Sequence, residues 1–234
     1  MADLSGNLLL DALSAPVRRE CVDPAERIRV AVGEEVIRQG DKVTSAFFPA
    51  SAACSLTIGL KSGDKAECAT VGAEGVIGLS LMNGARRSSF SAVVQVAGEG
   101  YLLPLELFAD LMHRHRALRD AVFVYTGFAL NALGRSVACN SFHSIVERMA
   151  RWLLMVHDRV QGDELSLTHN TLSQMLAATR PRVSLAAAKL RAAHLIDYQR
   201  GVVRIRDRKG LEQVACECYE ATKKYEQTLP WMRP

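Results

Sequence analysis

The stretch 167–195, LTHNTLSQMLAATRPRVSLAAAKLRAAHL, decides how the rest of the chain is read. Leu172, Met175 and Leu176 recur at helical spacing and give a first short helix one apolar face. The run Ala178-Thr179-Arg180-Pro181 then breaks the pattern. Thr179 suits the N-cap of a following helix, and Pro181 fits only its first turn, where a missing N–H is tolerated. Arg180 precedes a proline and is pushed away from the α region, so that helix start can slip by one residue. In the second helix Val183, Ala186, Ala187, Leu190 and Ala193 are expected to face inward, leaving Arg180, Arg182, Ser184 and Lys189 outside. A helix pair whose second member opens with arginines is the layout of a helix-turn-helix reading the DNA major groove. An alanine-rich bundle with solvated arginines has the same local pattern, so the flanks must decide.

They favour DNA. Residues 202–206, VVRIR, alternate like a strand after the Arg200-Gly201 turn, which predicts a two-stranded wing following the second helix. Arg200, Arg204 and Arg206 would then lie where phosphates pass. The net charge of the whole chain is only +4. Residues 180–209, however, carry nine Arg or Lys against two Asp, an asymmetry that points to an anionic partner for this part.

Upstream, residues 4–21 read as helical, with Leu8, Leu9, Leu13 and Val17 inward and Pro16 as a break. Short apolar or alternating runs then recur at 28–32, 36–38, 46–49, 55–60, 66–71, 90–96 and 101–103, separated by Gly-rich turns. Seven or eight such strands argue a small β-barrel or jelly roll. After Pro104 a short helix is expected over 105–113 and a long one over 118–138. The apolar set Leu118, Val122, Tyr125, Ala129, Leu133 and Val137 approaches a coiled-coil seam. Ser144 and Glu147 form a capping box for a helix over 144–160, with Ile145, Met149, Trp152, Leu153 and Val156 inward. The tail 211–224 reads as one further helix and 230–234 as a frayed end.

The six cysteines, Cys21, Cys54, Cys68, Cys139, Cys216 and Cys218, show no CxxC and no histidine at finger spacing. Cys216 and Cys218, placed on one helix, would point their thiols apart, so buried reduced thiols are expected. An iron–sulfur cluster needs about four grouped thiolates, and the N-terminal region offers one, so no cluster is expected. His113-Arg114-His115 does not put two ligands on one helix face, and no metal site is expected. There is no GxSxG elbow, HExxH, Walker A loop or Cys/His pairing, and the chain is not read as an enzyme. No apolar run looks long enough for a membrane span, and the acidic N-terminus is not a signal peptide, so a cytoplasmic protein is expected.

A β-roll, a long helix, a helix carrying VERMARWLL and a winged helix-turn-helix together resemble the Crp/Fnr family of bacterial transcription regulators. The sharpest segments are GEEVIRQGD at 33–41, the helix at 145–154 and the stretch 167–196. The resemblance implies an α+β chain with three parts. Residues 1–115 form a sensory double-stranded β-helix or jelly roll, 116–140 a long dimerisation helix, and 141–234 a winged helix-turn-helix. It implies a homodimer seamed by Val122, Tyr125, Ala129 and Leu133 on a near-palindromic site in double-stranded DNA. Base-reading positions of the family fall on Arg180, Pro181 and Leu185, and phosphate-contacting ones on Thr168, His169 and Thr179. Arg182, Ser184, Lys189 and Arg204 complete the expected DNA-binding set. The family prototype carries Arg-Glu-x-x-x-Arg in its recognition helix, whereas here the run is Arg180-Pro181-x-x-x-Leu185, so a different base preference is expected.

The effector pocket implied by the resemblance falls on Gly78, Leu79, Arg86, Arg87, Ser88 and Leu133. Leu79 stands where cyclic-nucleotide binders place a ribose-binding glutamate. Leu133-Gly134 stands where they contact the base. Cyclic-nucleotide binding is therefore not expected; an anionic or apolar small molecule in the same roll, or no ligand, remains open. Expected partners are DNA, a second copy of the chain, an unidentified effector and, as an open expectation, RNA polymerase. The competing expectation is a sensory or interaction module of the same fold that has lost sequence-specific DNA reading.

Overall fold

The computed structural model describes residues 4–79, 87–160 and 162–232. Two antiparallel sheets share one core in the N-terminal half. One has the order β2 (Glu35–Ile37), β6 (Ser91–Val96), β4 (Ala53–Gly59), β5 (Lys65–Val71); the other has β1 (Glu26–Val30), β7 (Gly98–Pro104), β3 (Ser45–Pro49). Phe47, Phe48, Tyr101 and Leu103 of the second sheet meet Cys54, Val71, Ala92 and Val94 of the first in that core. The glycine turns expected from sequence close the roll. Gly40 has φ +85°, a region that favours glycine, and its N–H donates to Ser88 O at 2.8 Å.

Two short helices, α1 (Leu8–Asp11) and α2 (Ala15–Val22), precede the roll, and Pro16 sits in the first turn of α2 as expected of a break. The inward set differs by one position. Leu9, Leu10 and Leu13 are buried, while Leu8 is exposed. Asn7 explains the shift. It caps α1 by accepting from Leu10 N–H, and its buried amide donates to the carbonyls of Pro49 and Gly75, which fixes the rotation of that helix on the roll.

After α3 (Leu105–Arg114) comes α4 (Arg116–Phe142), 27 residues long. Leu118, Val122, Tyr125 and Phe128 of α4 are buried in the roll's core. Gly75 makes this approach possible, because a Cβ there would lie 2.0 Å from the Tyr125 ring. Val122 and Tyr125, expected at a dimer seam, are thus covered by their own chain, at 0% and 1% exposure. The heptad count takes in two overlapping stripes, and packing on the roll claims one of them. By length and composition α4 is also long and apolar enough to cross a membrane, with a mean hydropathy of 1.2. Uninterrupted apolar runs miss this because polar residues are spread along the helix.

The C-terminal half begins with α5 (Ile145–His157), whose capping box is complete: Ser144 Oγ accepts from Glu147 N–H and Glu147 accepts from Ser144 N–H. It packs on α6 (His169–Met175), α7 (Arg180–Ala192) and a sheet ordered β8 (Glu164–Ser166), β10 (Val202–Ile205), β9 (Ile196–Gln199). The wing therefore has three strands, not two. β8 is only three residues, too short to register as a period in sequence. The tail is two helices, α8 (Arg208–Val214) and α9 (Cys218–Glu226), and not one. Ala215 is extended (φ −63°, ψ 145°), which ends α8. Pro230–Met232 form a 3-10 turn held to the roll by Trp231 Nε1–H donating to Glu74 O at 2.9 Å, so this part of the tail is not frayed.

Two clusters built on buried carboxylates join the halves. Glu67 of β5 accepts from Trp152 Nε1 of α5 at 2.7 Å, from Thr70 Oγ1 at 3.0 Å and from Ser55 Oγ. Arg159, just after α5, reaches Glu74 at 3.0 Å and Glu226 of α9 at 3.3 Å. Burial works against the charge on Arg159, but Glu74 and Glu226 more than offset it and hold its pKa above the usual value. Burial also raises the carboxyl pKa of Glu226, against the pull of Arg159. Removing the cation would leave two buried carboxylates together. Arg159→Met should cost about 3–5 kcal/mol in urea unfolding, and adding Glu226→Gln should recover part of it. A loss within the error of the measurement would show that water already screens this cluster.

Candidate nucleic-acid interface, roll cavity and thiol cluster

The helix pair forms as its sequence dictates. Thr168 caps α6, its Oγ1 accepting from Thr171 N–H at 3.0 Å. The chain leaves α6 through Ala177 in the left-handed region (φ 45°), then enters α7 at N-cap Thr179 with Pro181 in the first turn. Thr179 caps by backbone conformation only, since its side chain makes no capping hydrogen bond. Val183, Ala186, Ala187 and Leu190 are buried as expected. Ala193 is exposed at the C-cap, where the helix turns away from the core.

One face of α7 is left to solvent: Arg180, Pro181, Arg182, Leu185 and Lys189 are exposed, and Ser184 is half-buried. Leu185 is 60% exposed, a large apolar side chain set among cations. Arg180 Nη2 donates to Asn170 Oδ1 at 3.0 Å, which links the N-termini of α6 and α7 and orients the guanidinium. His169 is exposed at the start of α6, with its ring edge-on to Tyr198 of the wing at 4.5 Å. The wing arginines are less available than the sequence suggests. Arg204 is ion-paired with Glu164 of β8, and Arg206 with Asp197 of β9. Cross-strand pairing across β10 brings these acids alongside, and the unforeseen β8 supplies one of them. Arg200 stands exposed at the wing tip, at φ 49°.

The roll holds a cavity of about 370 Å³ against α4. Its walls are mostly apolar: Ile37, Leu56, Val71, Val76, Leu79, Phe90, Phe128 and Leu133, with Thr70, Ser88, Ser89 and Thr126 as polar points. Gly78, Leu79, Ser88 and Leu133 of the expected pocket line it. Arg87 is exposed and donates to Gly40 O at 2.7 Å, away from the cavity lining. Arg86 lies outside the described residues. Ala129, Leu130 and Phe123 of α4 complete the rim.

On its open side α4 presents Phe123, Leu130 and Val137, which are 58%, 64% and 68% exposed and seven residues apart. Gly127 and Gly134 lie four residues after the first two, and an added Cβ at either would meet no atom within 4 Å. Of the residues expected at the seam, Ala129 and Leu133 are half-buried beside this stripe.

The cysteines hold what sequence spacing hid. Cys139 near the end of α4, Cys216 in the α8–α9 break and Cys218 at the start of α9 converge with His143. Their Sγ and ring nitrogen atoms all lie within 4.8 Å of one another. Cys139 Sγ is 3.5 Å from Cys216 Sγ, and Cys218 Sγ is 3.7 Å from His143 Nδ1. The expectation that Cys216 and Cys218 diverge assumes a continuous helix, and the break at 215–217 removes it. Hydrogen bonding to Cys216 holds the Cys139 thiol down at about 5 despite burial, with Arg151 adding to the effect, and the Cys216 thiol is pushed up correspondingly. No pattern in the sequence flags this site, because 77 residues separate Cys139 from Cys216.

A family model for the cyclic nucleotide-binding domain matches residues 27–115, and one for the Crp-like helix-turn-helix domain matches 147–214. No curated protein sequence gives a significant match to the chain. Among solved structures, a chain from Eubacterium rectale assigned to the Crp/Fnr regulators superposes with a TM-score of 0.70 at 18% identity, covering 88% of this chain and 96% of that one. FixK2 from Bradyrhizobium japonicum gives 0.69 at 15%, covering 82% and 98%. CLP from Xanthomonas campestris, described as a c-di-GMP-responsive global regulator, gives 0.65 at 17%, covering 82% and 99%. At these identities the likeness speaks for the fold.

Proposed function

We propose that this chain, which belongs to the Crp/Fnr family of transcription regulators, acts in the cytoplasm as a homodimer that binds a near-palindromic DNA site. The observation that carries the reading is the outer face of α7, with Arg180, Arg182 and Lys189 in solvent around an exposed Leu185. A guanidinium at the N-terminus of a major-groove helix reaches O6 and N7 of guanine, and an apolar side chain one turn on suits the methyl group of thymine. Two such helices would sit on half-sites roughly 34 Å apart. The dimer seam in this reading is Phe123, Leu130 and Val137, with Gly127 and Gly134 letting the two helices approach closely. A partner helix there would also cover the rim of the roll cavity. That cavity suits an apolar effector better than a cyclic nucleotide, because Leu79 offers no acceptor to a ribose hydroxyl and Arg87 is held outside.

Selection of genomic DNA by the purified protein tests the reading and yields its site. On that site, Arg180→Ala should cost on the order of 1–3 kcal/mol per half-site and relax preference at one base pair. Arg200→Ala should weaken selected and scrambled DNA alike and lower the salt slope by roughly one unit for each phosphate it no longer neutralises. An equal loss on both DNAs for Arg180→Ala would leave it a phosphate clamp and shift base reading to Arg182 or Ser184. Leu130→Glu should convert dimers to monomers in light scattering with the far-UV spectrum unchanged; a persisting dimer would move the interface elsewhere. Calorimetry with cyclic AMP should give no saturable heat, and micromolar binding would overturn the apolar-effector reading.

A further inference from the structure

Three thiols and an imidazole are brought together from two segments far apart in sequence, none of them on α7 or the wing. We infer that Cys139, His143, Cys216 and Cys218 form a binding site for a single thiophilic divalent cation, with zinc as the ion of choice.

The spacing supports one ion. A tetrahedral zinc with Zn–S near 2.3 Å and Zn–N near 2.0–2.1 Å places neighbouring ligand atoms about 3.5–3.8 Å apart. The Cys139–Cys216 and Cys218–His143 separations are 3.5 and 3.7 Å, and no pair exceeds 4.8 Å. A sulfide-bridged cluster would need its ligands spread around several metal atoms, which this separation does not allow. Cys₃His is a donor set of structural zinc.

The surroundings are those of a ligated imidazole. His143 turns Nδ1 to the sulfurs and Nε2 to Glu217 Oε2 at 3.0 Å. A carboxylate on the far nitrogen fixes the tautomer that leaves Nδ1 free to coordinate, the usual outer partner of a metal-bound histidine. The charge also fits. Arg151 is 9% exposed, and its Nε has no hydrogen-bond partner among the described residues, nor does the buried Nε of Arg135. Among the described residues Arg151 has no carboxylate within ion-pair distance; its one side-chain hydrogen bond is from Nη1 to Met155 Sδ at 3.3 Å. A buried guanidinium without a carboxylate needs another anion nearby. Three thiolates around one divalent ion leave a net charge of −1, which Arg151 faces across Cys139.

Such an ion would tie the end of α4 to the α8–α9 break more firmly than the His143–Glu217 pair and the thiol contacts that already join them. The site is independent of DNA binding and stands or falls separately from it. The test is elemental analysis of the full chain purified without oxygen or added metal, followed by cobalt(II) titration after chelator stripping. One zinc per chain is expected, and cobalt should give thiolate-to-metal charge-transfer bands with the intense ligand-field bands of a tetrahedral site. Cys216→Ser should lose the metal, while Cys68→Ser, outside the cluster, keeps it. Glu217→Gln, which leaves every ligand in place, should weaken zinc about 10–100-fold against a competing chelator. Substoichiometric metal together with a featureless cobalt titration of the wild-type chain would overturn the proposal. So would a Cys139–Cys216 disulfide in metal-free protein, or acid-labile sulfide accompanying iron.

Discussion

The largely enclosed Arg159, its side chain 14% exposed, makes the interaction on which the arrangement of the two halves depends. It follows α5 directly and reaches one carboxylate in the roll and another in the final helix, so three separate stretches of chain must be in place before its charge is satisfied. A buried guanidinium tolerates few alternatives, because each misplacement leaves at least one ion unpaired in a poorly solvated site. Glu67 acts in the same way from β5, holding the indole N–H of Trp152. Together they set where α5 lies against the roll, and α5 is the element on which α7 packs.

The strands and helices are largely legible in the sequence, since their periods and punctuation are local. Gly33, Gly40 and Ser62-Gly63 mark turns wherever they occur, and Ser144 with Glu147 announces a helix start within four residues. What is not legible requires knowing which of two competing partners a side chain meets. Val122 and Tyr125 share a helical repeat with the stripe that stays exposed, and only the glycine at position 75 shows that the roll takes them. Leu8 and Leu10 are equally apolar, and the buried amide of Asn7 decides which faces in.

The exposed face of α7 and the wing show the same division. Arg180, Arg182 and Lys189 can be placed from sequence because the inward face of α7 is an unbroken set of small and branched residues. Arg204 and Arg206 look like free cations there because the acids that hold them lie on neighbouring strands, one of them forty positions away. A wing whose arginines are partly neutralised binds phosphate less tightly than its charge count suggests, since an ion pair must open as the new contact forms.

The cysteine cluster ties these themes together. Cys139 sits in the last turns of α4, and Arg148 and Arg151 rise from the first turns of α5, about a dozen residues on. Arg148 in turn donates to the carbonyl of Leu176, at the end of α6. The end of α4, the thiols and these two arginines therefore share one electrostatic neighbourhood, and Arg148 reaches from it to the turn before α7. The break between α8 and α9 is what completes this neighbourhood, because one continuous helix would hold Cys216 and Cys218 on different sides. Extended Ala215 is thus more than a helix terminator. By ending α8 where it does, it lets two cysteines from the tail meet a third from the long helix.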